Sequence, residues 1–216
     1  MLETLLGFAL VLTRISAFFL ILPVFGWQTV PVRVKVAATV VLSVFFAAVV
    51  PLGIDVAEVS SLKALLLLAS EATYGLALGL IIVSLFSVVK LSGQIIERQM
   101  GLTMAEILDP LTGEGSQPLG GLLEMIFILL FLSADGHHLF LLILSKSYAA
   151  FPAGTIPTIQ TLTAGVLTAG STMLIAGLRL AAPMLAAFMV LMVALALLAR
   201  LVPEMNILFI SMPVRI

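Results

Sequence analysis

Residues 62 to 108 read LKALLLLASEATYGLALGLIIVSLFSVVKLSGQIIERQMGLTMAEIL, with no proline and no two-residue alternation. The stretch begins almost purely apolar and gathers polar residues towards its end. As one straight helix it would run roughly 70 Å at about 1.5 Å per residue. A hydrocarbon core is roughly 30 Å thick. The expectation is a helix that bends in the bilayer or projects out of it. Gly93, beside Ser92, is the bend point expected, because glycine lowers the cost of local distortion.

Similar apolar segments lie on both sides. Upstream, Leu5–Leu22 stops at Pro23, and Val36–Val50 stops at Pro51-Leu52-Gly53. The second is short for a span, which needs about 20 residues. Downstream, Asp109 to Gly121 holds two prolines and four glycines and reads as irregular. Helices are then expected at Leu122–Leu132 and Leu139–Phe151, separated by Ser133-Ala134-Asp135-Gly136. A Pro-bounded loop covers Phe151–Thr158. Ile159 to Leu201 reads as a helical hairpin or a kinked pair broken at Pro183, with Pro203 and Asn206 marking its end. The fold class is therefore all-α, a polytopic membrane-type helical protein.

Composition agrees. Of 216 residues 62% are hydrophobic and 10% charged, and mean hydropathy is +1.29. Ordinary soluble domains carry about 25% charged residues. These helices must face lipid or other apolar subunits. The net charge of −1 and the absence of a basic tract exclude electrostatic nucleic-acid binding. With no cysteine there is no disulfide and no thiolate chemistry. The start, Met1-Leu2-Glu3-Thr4, is acidic and Arg14 interrupts the apolar run, so a retained first helix is expected rather than a removed signal. Arg33 and Lys35 place the first connector on the cytoplasmic side relative to the second, which holds Asp55 and Glu58.

Ionisable groups inside apolar runs are the first functional candidates: Arg14, Glu71, Lys90, Glu97, Arg98, Glu124, Lys146, Arg179 and Arg200. Each would cost about 2.5–3.5 kcal/mol at a helix centre facing lipid. They must pair, line water or face another subunit; an ion relay and structural pairing both fit. Gly75 and Gly79 form a GxxxG step, and Gly165 with Ala169 repeats the small-xxx-small spacing, which favours close helix approach. Met100 and Met104, four apart before the irregular stretch, fit either core packing or a deformable seal. His137 and His138 point about 100° apart on a helix, and no metal site is expected of them. Glu106 and Asp109 read as a helix-end cap. No nucleophile–base pair, P-loop or dinucleotide fingerprint occurs, so no catalytic, cofactor-binding or metal residue is assigned.

Five features in order resemble the family of the flagellar biosynthesis protein FliR and its counterparts in type III secretion injectisomes. They are Leu22-Pro23-Val24-Phe25 with Val30-Pro31-Val32-Arg33-Val34-Lys35; Gly93-Gln94-Ile95-Ile96; Gln99-Met100-Gly101-Leu102 with Asp109-Pro110; Asp135-Gly136-His137, where the family has Asn-Gly-His; and the closing Leu198, Arg200, Pro203, Asn206, Phe209 and Pro213.

The resemblance implies an export-gate subunit of the bacterial inner membrane, in a flagellar basal body or injectisome base. It implies a FliP-like unit over residues 1–151 and a FliQ-like hairpin over 152–216. Family chains continue past the Pro213 region with a further apolar segment, whereas this sequence stops at Ile216, so a C-terminally incomplete hairpin is expected. Implied partners are FliP-like and FliQ-like subunits, FlhB-like and FlhA-like components, unfolded export substrates and membrane lipid. It further implies a pore plug over Leu102–Gly121. The positions of the plug and its approach are Met100, Gly101, Leu102, Met104, Ile107, Leu108, Asp109, Pro110, Gly113, Gly115, Pro118, Gly120 and Gly121. The rival reading is a small secondary transporter using the intramembrane charges, although no internal repeat of that kind is found.

Overall fold

The computed structural model describes residues 2–23, 31–50, 60–101, 118–156 and 159–201. Six α-helices occur among them: α1 Leu2–Ile21, α2 Val32–Val49, α3 Ser61–Met100, α4 Pro118–Ser133, α5 His137–Ala150 and α6 Ile159–Leu201. No strand runs among the described residues, so the all-α expectation holds. Helices α2, α3 and α6 are long and apolar enough to cross a membrane, and α4 with α5 would make a fourth span if taken as one.

Local chemistry explains the boundaries. α2 starts four residues earlier than Val36, at Val32, because the Pro31 carbonyl accepts from Val34 N–H at 2.9 Å and Lys35 N–H at 3.4 Å. That lengthens a segment expected to be short to 18 residues. α3 ends at Met100, where Gly101 takes a φ of +78°, a left-handed conformation that glycine adopts without a Cβ penalty. The expected continuation to Leu108 lies outside the described residues. The α4–α5 break falls at residues 134–136, inside the break read from the sequence.

Two expectations are corrected. Pro118, Leu119, Gly120 and Gly121, read as irregular, are the first turn of α4. Proline suits the first helical position because its missing N–H would have no intrahelical partner there. Residues 159–201 form one 43-residue helix with Pro183 inside it, with no hairpin turn. An isolated proline removes one backbone donor, a loss that apolar membrane-type helices tolerate.

By chain contacts the protein divides into two compact units, Met1–Leu85 with Leu130–Ser171, and Phe86–Leu129 with Thr172–Ile216. In the first, Leu10, Arg14 and Phe18 bury one face of α1, with Leu22 buried just beyond its end, while Leu67, Glu71, Tyr74 and Ile82 bury one stripe of α3. Spacings of three and four residues put such side chains on one helical face. Phe140, Leu144 and Tyr148 of α5 complete this core. In the second unit the buried set is smaller and includes Phe86, Ser92, Ile96, Glu97, Ile128 and Ala181.

Candidate functional site

The first unit is organised around Arg14, whose side chain is wholly buried. Its Nε donates to Glu71 Oε2 at 2.5 Å. Nη1 donates to Ser147 Oγ and to the Phe151 carbonyl, both at 3.0 Å. The guanidinium lies between two aromatic faces, 4.6 Å from the Tyr74 ring centroid and 4.3 Å from that of Tyr148. Glu71 is equally buried, and its second oxygen accepts from the Gly154 N–H at 2.7 Å. One ion pair thus ties α1 to α3, to α5 and to the segment after it.

Gly154 can present that N–H because it adopts a φ of +90°. A buried ion pair withstands desolvation only when its remaining hydrogen-bonding capacity is met. Here both Glu71 oxygens and three of the five guanidinium N–H groups have partners. Arg14 Nη2 and the Tyr74 hydroxyl are the buried side-chain polar atoms with no partner among the described residues. Cation–π attraction to both rings offsets part of that deficit.

The glycine pair of α3 serves the same centre. A Cβ at Gly75 would overlap the Arg14 carbonyl oxygen and lie 2.8 Å from Ala17 Cβ. At Gly79 it would lie 3.2 Å from Ile21 Cβ and 3.3 Å from the Phe18 carbonyl oxygen. The GxxxG step is therefore filled by α1 of the same chain. Gly165 is different: its nearest neighbour for a Cβ is Ile81 Cδ1 at 3.8 Å, and Ala169 is half-buried. That second small-residue stripe is not tightly packed in this chain.

In the second unit, Glu97 is 1% exposed and sits in the last turn of α3. Its Oε1 accepts from the N–H groups of Leu119 and Gly120, the latter at 3.0 Å. One turn earlier, a Cβ at Gly93 would come within 2.5 Å of Gly120 Cα. The residue expected to mark a bend is the contact point between α3 and α4. Lys90 pairs with Glu124 at 3.3 Å in the same unit.

Of the expected buried charges, Arg14, Glu71 and Glu97 are buried. Lys90 is 46% exposed, and Arg98, Arg179, Arg200 and Lys146 are exposed. Their aliphatic stems let long basic side chains reach away from an apolar helix. Met100 is half-buried at the end of α3. The plug positions Leu102, Met104, Ile107, Leu108, Asp109, Pro110, Gly113 and Gly115 lie outside the described residues, as do Glu106 and the closing residues from Pro203 onward. Asp135, His137 and His138 each place a donor atom within 4.8 Å of the others, all exposed. The imidazole centroids lie 4.2 Å apart with their planes tilted by 36°, and His138 Nδ1 lies 3.9 Å from Asp135 Oδ1, an open surface pair.

Sequence reading missed Tyr74, Ser147, Tyr148 and Gly154 as parts of the Arg14 centre. Tyr74, Ser147 and Tyr148 stood out only as aromatic and polar residues within apolar helices, and nothing in the sequence marked Gly154.

Among the described residues the chain is all-helical, with three helices long and apolar enough to cross a membrane and with Arg14, Glu71 and Glu97 buried against partners, which defines a membrane-type helical protein. The family model for bacterial export proteins, family 1, matches residues 5–216, and the chain belongs to that family. It is 32% identical over 202 residues to the flagellar biosynthetic protein FliR of Escherichia coli K12, covering 94% of this chain and 77% of that protein. With FliR of Bacillus subtilis 168 the identity is 31% over 218 residues, covering 97% and 82%. The Yop proteins translocation protein T of Yersinia pestis is 30% identical over 216 residues, covering 98% and 82%.

Proposed function

We propose that this chain is a core subunit of a flagellar or type III protein-export gate in the bacterial inner membrane. It contributes wall, closure and plug to a conduit for unfolded export substrates and performs no bond chemistry. In this reading residues 1–151 act as a FliP-like unit and 152–216 as a FliQ-like one. FliP-like and FliQ-like subunits are its neighbours, FlhB-like and FlhA-like components its further partners, and the stretch 102–121 plugs the pore.

The observation that carries the reading is how little of the apolar surface the chain covers by itself. The most apolar windows of α2 and α6 are each 11% buried, against 33% for α3. Leu167, Leu174, Leu178, Met189, Val190 and Val193 stand exposed along α6. Its charges, by contrast, are satisfied internally at Arg14, Glu71 and Glu97. A wall subunit needs that combination: a rigid interior and apolar flanks left for neighbours. A transporter relay would instead need its ionisable groups facing a pathway.

Mass analysis of the native complex extracted in detergent tests this. The expected result is a multi-subunit particle containing two other small apolar proteins, together with poor behaviour of this chain expressed alone. A folded, homogeneous monomer from solo expression overturns it.

A further inference from the structure

We infer that Glu97 is a positioning residue that fixes where the chain re-enters the helical body at α4, acting as the N-terminal cap of a helix to which it does not belong.

The first turn of a helix leaves backbone N–H groups without intrahelical partners. Usually the residue just before the helix supplies the oxygen that satisfies them. In α4 Pro118 has no N–H to satisfy, and the N–H groups of Leu119 and Gly120 both point at one carboxylate oxygen from α3, more than twenty residues earlier. The helix N-terminus carries a partial positive charge, so a carboxylate is favoured there over a neutral acceptor. Hydrogen bonds of this charge-assisted kind are also the stronger ones.

Burial makes the arrangement informative. Glu97 is 1% exposed, and no described cation forms an ion pair with it; Lys90 is paired with Glu124. An uncompensated carboxylate in an apolar interior is costly. An apolar residue would fill the same space without that cost, so packing alone does not explain a glutamate here. What the carboxylate adds is a fixed register between Met100 and Pro118. The Gly93–Gly120 contact supplies the second point: with no side chain on Gly93, the backbones approach closely enough for Glu97 to reach both amides. Two points of contact, one turn apart on α3, set both the distance and the rotation of the α4 start.

That this register matters for sealing rests on the reading of residues 102–121 as a plug, since the contact ties the last residues of that stretch, Leu119 and Gly120, to the end of α3 that precedes it. The experiment separates the two claims. Hydrogen–deuterium exchange of the intact export complex would be followed for a peptide covering 119–128, with one covering 138–148 as internal reference. Glu97→Ala and Glu97→Asp, which withdraws the oxygen by one methylene, should speed exchange at the first peptide by about tenfold or more. The reference should be unchanged. Glu97→Gln keeps an acceptor of the same reach but gives up the charge, so its exchange should fall between wild type and Glu97→Asp. Unchanged exchange in Glu97→Asp, or an equal rise in both peptides, overturns the positioning role. If exchange rises locally, small-solute leak through the assembled Glu97→Asp complex is measured next. A leak supports the coupling to sealing. A tight complex overturns that coupling, while the plug reading itself stands or falls on deletion of the loop.

Discussion

Arg14 and Glu71 lie 57 positions apart in the chain, yet their side chains meet at 2.5 Å with neither exposed to solvent. Groups from α3, α5 and the segment after α5 gather around that contact. Ser147, the Phe151 carbonyl and the Gly154 amide meet most of its hydrogen-bonding capacity, and two tyrosine rings close over the guanidinium.

Removing one partner leaves the other charged and buried, which costs about 3–5 kcal/mol in comparable sites. Glu71→Leu and Arg14→Met should each lower the thermal midpoint of the detergent-solubilised complex sharply. The double substitution should recover a clear part of that loss, because no unpaired charge remains. A double variant as damaged as the sum of the singles would mean that the two residues act independently.

The two glycines of α3 should differ. Gly75→Ala forces a methyl against the Arg14 backbone, and overpacking of this kind costs about 1–3 kcal/mol. Gly79→Ala meets Ile21 Cβ at 3.2 Å and the Phe18 carbonyl oxygen at 3.3 Å, a few tenths of an ångström too close rather than an overlap, and should be milder. Thermal melts of the two variants decide it. Equal effects would show that α1 does not approach α3 as described.

A matching asymmetry is expected between α3 and α4. Gly93→Ala would press on the Gly120 backbone, whereas a methyl on Gly120 would find its nearest atom, the Lys90 carbonyl oxygen, at 3.4 Å. Gly93→Ala should reduce recovery of assembled complex, and Gly120→Ala should leave it near wild type. The reverse order would place the close contact elsewhere.

Deleting Gly113 to Gln117 tests the plug. The expected outcome is an assembled complex that leaks ions or small metabolites, read as conductance or solute uptake in cells carrying the deletion. Met100→Ala with Met104→Ala should leak less. A transporter would instead lose substrate flux without opening a passive path. A deletion complex as tight as wild type would rule out sealing by this segment.

Helical class, membrane character and most helix limits were legible in the order of residues alone. They depend on local chemistry: apolar run length, the punctuation at Pro23 and Ser133–Gly136, and the scarcity of charge. Where local signals pointed elsewhere, context prevailed. Pro118 reads as a loop residue but opens α4, since a helix start has no use for the N–H that proline lacks. Pro183 reads as a break but lies within α6. The sequence also marked Arg14, Glu71 and Glu97 as groups that must find partners, because lipid offers none. Which partners they find is decided only by tertiary structure. The choice of Ser147 and Gly154 for one centre, and of two α4 amides for Glu97, joins residues that no periodicity relates. Each depends on two backbones approaching where a glycine leaves room.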